Sequence, residues 1–212
     1  MKIFFIIIFV SVVLFFLSSC ETGYAKRGHN WVWVTQDEYF GKRDHWIEGI
    51  DNESFKVSKQ NKNFGTDKNS AYFQGRKINH ATSDGFTPLT DNAYGYAKDK
   101  YRAFLDTEVI LKADPNTFEV IEFPYSRDKN DVYNGTIPMN LDKSEVVAFR
   151  VTNEDKVMGG GKSTTLLSEF LRFSPEYSWI DSMGLDVKWV ITDRWGTGEA
   201  LGKKYKGLKE IK

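Results

Sequence analysis

A phosphate-binding reading would begin at Met158-Gly-Gly-Gly161-Lys162-Ser163-Thr164. The backbone N–H groups of a glycine-rich loop can cradle phosphate oxygens, while a lysine reaches the outer phosphates and a hydroxyl holds magnesium. That chemistry needs another glycine five positions before Gly161, where Lys156 stands. It also needs a strand before the loop and a helix after it. The string is therefore read as a flexible glycine turn ahead of a helix. Three histidines, His29, His45 and His80, are the other natural ligands or bases. None has a second His, a Cys or an acidic residue at the spacing of a metal-ligand pair. Asp44 and His45 are adjacent, so on a strand their side chains point to opposite faces. The 29 acidic residues permit a carboxylate pair in space, but no particular pair is marked. The expectation is no catalytic residue, no cofactor and no metal site. Trp31, Trp33, Trp46, Trp179, Trp189 and Trp195 either fill a small β core or, where exposed, stack on sugar rings or anchor a partner.

Cys20 is the only cysteine in 212 residues. An intramolecular disulfide and a cysteine-rich zinc site are thereby excluded. Lys2 precedes an apolar run at residues 3–17 that only Ser11 interrupts. A membrane-spanning helix needs about 20 apolar residues, and this run fits the apolar region of a signal peptide better. The string Leu17-Ser18-Ser19-Cys20 resembles a bacterial lipobox. That resemblance implies a diacylglyceryl thioether on the Cys20 sulfur, cleavage after Ser19 and acylation of the new amino group, with palmitate among the acyl chains. Two or more acyl chains hold a protein stably on a membrane, at about 0.8 kcal/mol per buried CH₂. The chain is thus expected to lie in the bacterial cell envelope, outside the cytoplasm, with the membrane as its first partner.

The elements that would position any site come from a chain with 29 basic and 29 acidic residues. A balanced charge excludes a generic nucleic-acid binder, which carries a clear basic excess. Self-similarity is the strongest internal signal. Phe64-Gly-Thr-Asp67-Lys68-Asn69, Tyr96-Ala-Lys-Asp99-Lys100 and Tyr125-Ser-Arg-Asp128-Lys129-Asn130 share an aromatic residue three positions before Asp-Lys. Ala71-Tyr72-Phe73-Gln74-Gly75 follows the first and Val132-Tyr133-Asn134-Gly135 the third. Ala103-Phe104-Leu105-Asp106-Thr107 follows the second, a degraded copy with no glycine. A second block, Asp51-Asn-Glu-Ser54-Phe55, matches Asp114-Pro-Asn-Thr117-Phe118, with Asp84-Gly-Phe86 as a shortened version. Residues 40–49, containing Asp44, read as a divergent further copy.

Asp-Lys-Asn between short β-prone runs is a turn, because the Asp side chain can bond a backbone N–H two residues on and Asn tolerates the left-handed conformation. Asn134-Gly135 reads as a hairpin turn with positive φ at Gly135. Tyr72 and Val132 are expected at equivalent strand positions. A turn-forming Asp128 implies a small loss on Asp128→Ala, about 0.5–1.5 kcal/mol, against about 3–5 for a core Phe118→Ala.

The strings YSRDKNDVYNG, GTDKNSAYFQG and ADPNTFEVI resemble the DKNYY family of bacterial repeat proteins, over roughly 100 residues. The resemblance implies a β-rich exported repeat protein and brings no established catalytic residue or ligand. Residues 145–151 read as a strand, residues 163–174 as a helix stopped by Pro175, and residues 185–192 as a half-buried strand. The lysine-rich residues 201–212 read as a solvated tail.

The expected fold is mainly β, a meander of short antiparallel hairpin repeats with a small α+β C-terminal segment. Residues 1–19 form the signal peptide, 20–39 the lipid-anchored tether and first strand, 40–140 the DKNYY-like repeats, and 141–212 the C-terminal segment. The expected function is a non-enzymatic binding or scaffolding lipoprotein with a protein or glycan ligand. An envelope hydrolase acting on glycan or peptide is the alternative. Oligomeric state is not legible.

Overall fold

The computed structural model describes residues 22–90, 94–153 and 161–212. The expected signal peptide, Cys20 and residues 158–160 of the glycine string lie outside these. Among the described residues, no helix is long and apolar enough to cross a membrane. The fold is mainly β, built from small antiparallel sheets. Strands β1 (Gly23–Arg27), β2 (Asn30–Asp37) and β3 (Gly41–Trp46) form a three-stranded sheet. Three four-stranded meanders follow. They are β4 (Lys56–Val57) to β5 (Phe64–Thr66), β6 (Ala71–Phe73) and β7 (Arg76–Lys77); then β8 (Thr87–Pro88), β9 (Tyr96–Lys98), β10 (Ala103–Leu105) and β11 (Glu108–Val109); then β12 (Glu119–Glu122), β13 (Tyr125–Arg127), β14 (Val132–Asn134) and β15 (Ile137–Pro138).

One carboxylate organises each meander. Asp67 Oδ1 accepts the N–H groups of Asn69 and Ser70 at 2.8 and 2.7 Å. Asp99 does the same for Tyr101 and Arg102, both at 2.7 Å, and Asp128 for Asn130 and Asp131 at 2.6 and 3.0 Å. The second oxygen reaches back to the preceding block. Asp67 Oδ2 accepts Asp51 N–H at 3.0 Å and the Tyr72 hydroxyl at 2.7 Å. Asp128 Oδ2 accepts Asp114 N–H at 2.5 Å and the Tyr133 hydroxyl at 2.9 Å. The middle copy has Phe104 where the others have tyrosine, and Thr82 supplies both its N–H (2.9 Å) and its hydroxyl (3.3 Å) to Asp99 Oδ2. The middle copy is therefore intact despite its divergent sequence.

Two expectations are corrected at this level. Tyr72 is equivalent to Tyr133, not to Val132, because both hydroxyls lie five residues after the turn aspartate and bond it. Asp44 is no turn residue: it sits in β3 and pairs with Arg27 at 2.6 Å. The turn of that hairpin belongs to Asp37, whose Oδ1 accepts Tyr39 and Phe40 N–H at 2.8 and 3.0 Å.

The far turn of each meander has positive φ at its first residue: Gln74 (48°), Asp106 (54°) and Gly135 (62°). In the third copy Asn134 pairs with Ile137, so the turn residues are Gly135-Thr136 rather than Asn134-Gly135. Glycine is required there for a second reason, since a Cβ would lie 2.1 Å from Ile191 O. Neighbouring meanders are coupled by one repeated bond: Asn79 N–H to Thr107 O at 2.8 Å, and Leu111 N–H to Thr136 O at 2.9 Å. Between them lies a core of Phe64, Phe73, Ile78, Phe104, Val109, Leu111 and Ile137. A hairpin alone is marginal in water, and stacking copies supplies the missing apolar burial.

The C-terminal third contains α1 (Lys143–Ala148), β16 (Arg150–Val151), β17 (Lys162–Leu166), α2 (Leu167–Phe173), a 3-10 segment (Pro175–Met183), β18 (Trp189–Asp193), β19 (Thr197–Ala200), β20 (Lys203–Lys206) and β21 (Lys209–Ile211). Residues 145–148 are helical, not a strand. Asp142 and Glu145 stand at capping-box spacing, and Glu145 Oε2 accepts the Asp142 N–H at 3.1 Å. The expected helix over 163–174 starts only at Leu167. The β-branched Thr164 and Thr165 lie in β17, paired with β18 over five residues. The lysine-rich end is ordered as β20 and β21, with Lys203 2.6 Å from the buried Glu145.

The Asp128 turn carries more than the single bond expected from sequence. Four donors converge on a buried carboxylate, so Asp128→Ala should cost about 3 kcal/mol or more. That is comparable to Phe118→Ala, which opens a cavity among Tyr96, Ile110 and Tyr133 and should cost about 3–5 kcal/mol. Denaturant unfolding of a form lacking residues 1–20 measures both.

Asp51 and Asp114 titrate at about 2 rather than the ordinary 3.8, held down first by Lys68 and Lys129 and then by nearby backbone N–H groups. Their folded values lie below the unfolded ones. The stability they confer is therefore complete above about pH 4 and is lost as pH falls toward about 2. Asp131 acts in the opposite sense, since burial raises its carboxyl. Thermal melts between pH 5 and pH 2 should show a net loss of stability, and Asp51→Asn/Asp114→Asn should make that loss shallower.

Candidate functional site

Among the described residues, a chemically mixed concavity lies where β17, α2 and β18 meet. Its volume is about 650 Å³, within the range of ligand clefts, which is roughly 300–1,000 Å³. Lys162, Ser163 and Thr165 line it from β17, Glu169, Phe170 and Phe173 from α2, and Thr192 and Arg194 from the end of β18. Alternation along β17 turns successive side chains to opposite faces. The seven-residue α2 buries Leu167 and leaves the Phe173 ring 69% exposed. With Ser174 at the end of α2, an aromatic edge, two cations, one acid and four hydroxyls border one open cleft.

A buried polar cluster forms its floor. The Lys162 ammonium is ion-paired with Asp106 Oδ2, and Asp106 is almost fully buried. Asp106 stands at the far turn of the second meander, so this pair ties the cleft to the repeats. Asp193 Oδ1 accepts Trp195 and Gly196 N–H at 2.8 and 2.9 Å, the same pattern as the repeat aspartates. Its own N–H donates to Asn134 Oδ1 at 2.7 Å. Gly161 lies against Asp193: a Cβ there would come within 2.3 Å of Oδ2, and φ is 156°. Among the described residues, Asp106 Oδ1, Ser126 Oγ and Asn134 Nδ2 are buried without a hydrogen-bond partner. Tyr96, next to this cluster, has its phenol pushed up by burial, with Asp106 and Asp193 adding to the rise.

The described end of the glycine string, from Gly161 on, does not fit a phosphate loop. Lys162-Ser163-Thr164 enters a strand rather than a helix, and the ammonium is held by Asp106. The three histidines are dispersed. His45 bonds the Thr35 hydroxyl at 2.8 Å, His80 meets Asp186 O at 3.2 Å, and His29 sits exposed in the β1–β2 turn. Among the described residues, no group of three His, Cys, Asp or Glu side chains could hold a metal ion. Asp67, Asp99 and Asp128 serve turns, as expected. Five of the six tryptophans are half-buried; Trp46 is 67% exposed on β3. Sequence reasoning missed Asp106 and Asp193. For Asp193 the signal was present, since Thr192-Asp193-Arg194 repeats the Thr66-Asp67-Lys68 pattern.

The Asp106–Lys162 pair gives a direct test of the floor. Lys162→Met leaves a buried carboxylate unpaired and should cost about 1–3 kcal/mol. Adding Asp106→Asn removes the orphaned charge, keeps a residue that tolerates positive φ, and should restore most of the loss. Denaturant unfolding of the two variants measures the difference.

A family description, DKNYY family, matches residues 33–165 of the chain. No curated protein and no solved structure matches it.

Proposed function

The chain belongs to the DKNYY family, and from that premise we propose that it is a membrane-anchored envelope lipoprotein acting as a non-enzymatic binding or scaffolding module. The anchor in this reading is lipid on Cys20, supported by the lipobox-like Leu17-Ser18-Ser19-Cys20 and by the lack of any other cysteine. The bound partner is a protein or a glycan, taken up by the cleft between β17, α2 and β18.

The observation that carries this reading is how the buried carboxylates are used. Asp67, Asp99 and Asp128 each accept backbone N–H groups with both oxygens. Hydrolysis by paired carboxylates needs a carboxylate aimed at substrate and within reach of a proton. These groups are turned into the fold. The cleft instead offers Phe173 for apolar contact and Arg194 and Glu169 for polar orientation, which suits recognition.

Cys20→Ala should move the protein from the detergent phase to the soluble fraction or leave an unprocessed precursor. Intact-mass measurement of the wild type should show loss of residues 1–19 and gain of lipid. An unmodified thiol on a full-length membrane-bound chain would sink the anchor. For the cleft, a tagged lipoprotein is crosslinked in cells and captured with its partner. Phe173→Ser and Arg194→Ala lie on the surface and should leave Tm unchanged while the partner is lost. Turnover of a glycan or peptide by the purified protein would overturn the non-enzymatic reading.

A further inference from the structure

We infer that the β2–β3 hairpin tip, carrying Tyr39 and Phe40, is a second membrane contact that inserts into the headgroup–acyl boundary of the bilayer holding the Cys20 lipid. The inference rests on the lipid-anchor reading and adds a surface to it. Tyr39 is 92% exposed and Phe40 69% exposed, adjacent on one turn. The turn is built to hold them there. Asp37 Oδ1 accepts both of their N–H groups, and the Arg43 guanidinium stacks over the Phe40 ring at 4.0 Å. Aromatic rings with an adjacent cation are the side chains that sit best at a membrane–water interface.

Topology decides which end of the sheet faces the lipid. Strand β1 runs antiparallel to β2, and Gly23 pairs with Val34. The chain therefore enters β1 at the end of the sheet nearest the β2–β3 turn. From Val34 to Asp37 is three strand residues, so the tip projects about 10 Å beyond the level of Gly23. Cys20 lies three residues before Gly23, and three residues reach at most about 11 Å. A lipid on Cys20 thus keeps the bilayer surface within reach of the tip, and the short tether leaves the sheet little room to turn away. Trp46 pairs with Val32, on the far side of Gly23 from the tip, and is outside this contact.

The test uses the mature lipoprotein, purified from membranes and reconstituted in nanodiscs of phosphatidylethanolamine and phosphatidylglycerol. Tyr39→Cys, and separately Tyr101→Cys at the exposed turn of the second meander, are labelled with an environment-sensitive fluorophore, the Cys20 thiol being consumed by lipid. The probe at 39 should shift to the blue and be quenched by nitroxide placed on the acyl chains, while the probe at 101 should do neither. Amide exchange at residues 37–41 should slow on transfer from detergent to nanodiscs. A lipidated protein whose probe at 39 behaves like the probe at 101 overturns the contact and leaves the anchor standing. A free Cys20 thiol by intact mass overturns both.

Discussion

Each repeat depends on one carboxylate with two oxygens and two separate duties. Oδ1 closes a turn by accepting the N–H groups two and three residues ahead. Oδ2 ties that turn to the block some fifteen residues earlier and to a hydroxyl. A carboxylate accepts several hydrogen bonds and donates none when ionised, so it can collect backbone donors that a tight turn otherwise leaves unpaired. Burying such a group is unfavourable in itself, and burial indeed pushes the Asp67 carboxyl upward. Bonds from Asp51, Asn69, Tyr72 and Ser70 outweigh it, and the group stays below its ordinary range.

This constraint explains which positions repeat and which drift. The hydroxyl on Oδ2 is needed, but its source is free. Tyr72 and Tyr133 supply it from the strand, whereas Thr82 supplies it from the preceding loop, and Phe104 then takes the tyrosine position. The lysine after each aspartate reaches the preceding block, from Lys68 to Asp51 and from Lys129 to Asp114, with Lys100 to Asp84 as a longer version. These lysines are largely exposed, so solvent screens their pairs and each contributes little. They mark the repeat in sequence more strongly than they stabilise it.

Legibility followed the same division. The meanders, the turn aspartates and positive φ at Gly135 could be read because each rests on local chemistry within a few residues. The equivalence of Tyr72 with Tyr133 was hidden because apolar patterning treats Val132 and Tyr133 alike and only the hydroxyl's bond separates them. Residues 145–151 misled because Val146, Val147 and Val151 favour strands by type, while the capping glutamate that makes a helix lies among them. The floor of the cleft was out of reach altogether. Asp106 and Lys162 are 56 residues apart, and only the packing of the second meander against the β17–β18 hairpin brings them together.

The two ends of the repeat stack are closed by different means. A repeat array exposes an unpaired face at each end and needs different sequence to close it. The N-terminal sheet closes the first meander: Gly75 donates to the Tyr24 hydroxyl at 3.1 Å, and Trp31 and Tyr24 pack on Phe55. The C-terminal third closes the last one by imitating the next repeat. Tyr96 donates its hydroxyl to Pro124 O in the following meander. Tyr125 does the same to Gly196 O, beside the Asp193 turn that copies a repeat turn. Within the array, side chains are tied to neighbouring copies and little remains to vary. The rest of the C-terminal third does not stay at the end it closes: Leu167, Tyr177, Ile180 and Val190 pack with Phe64, Phe73 and Phe104 in one core, and the Asp106–Lys162 pair holds the cleft beside the second meander.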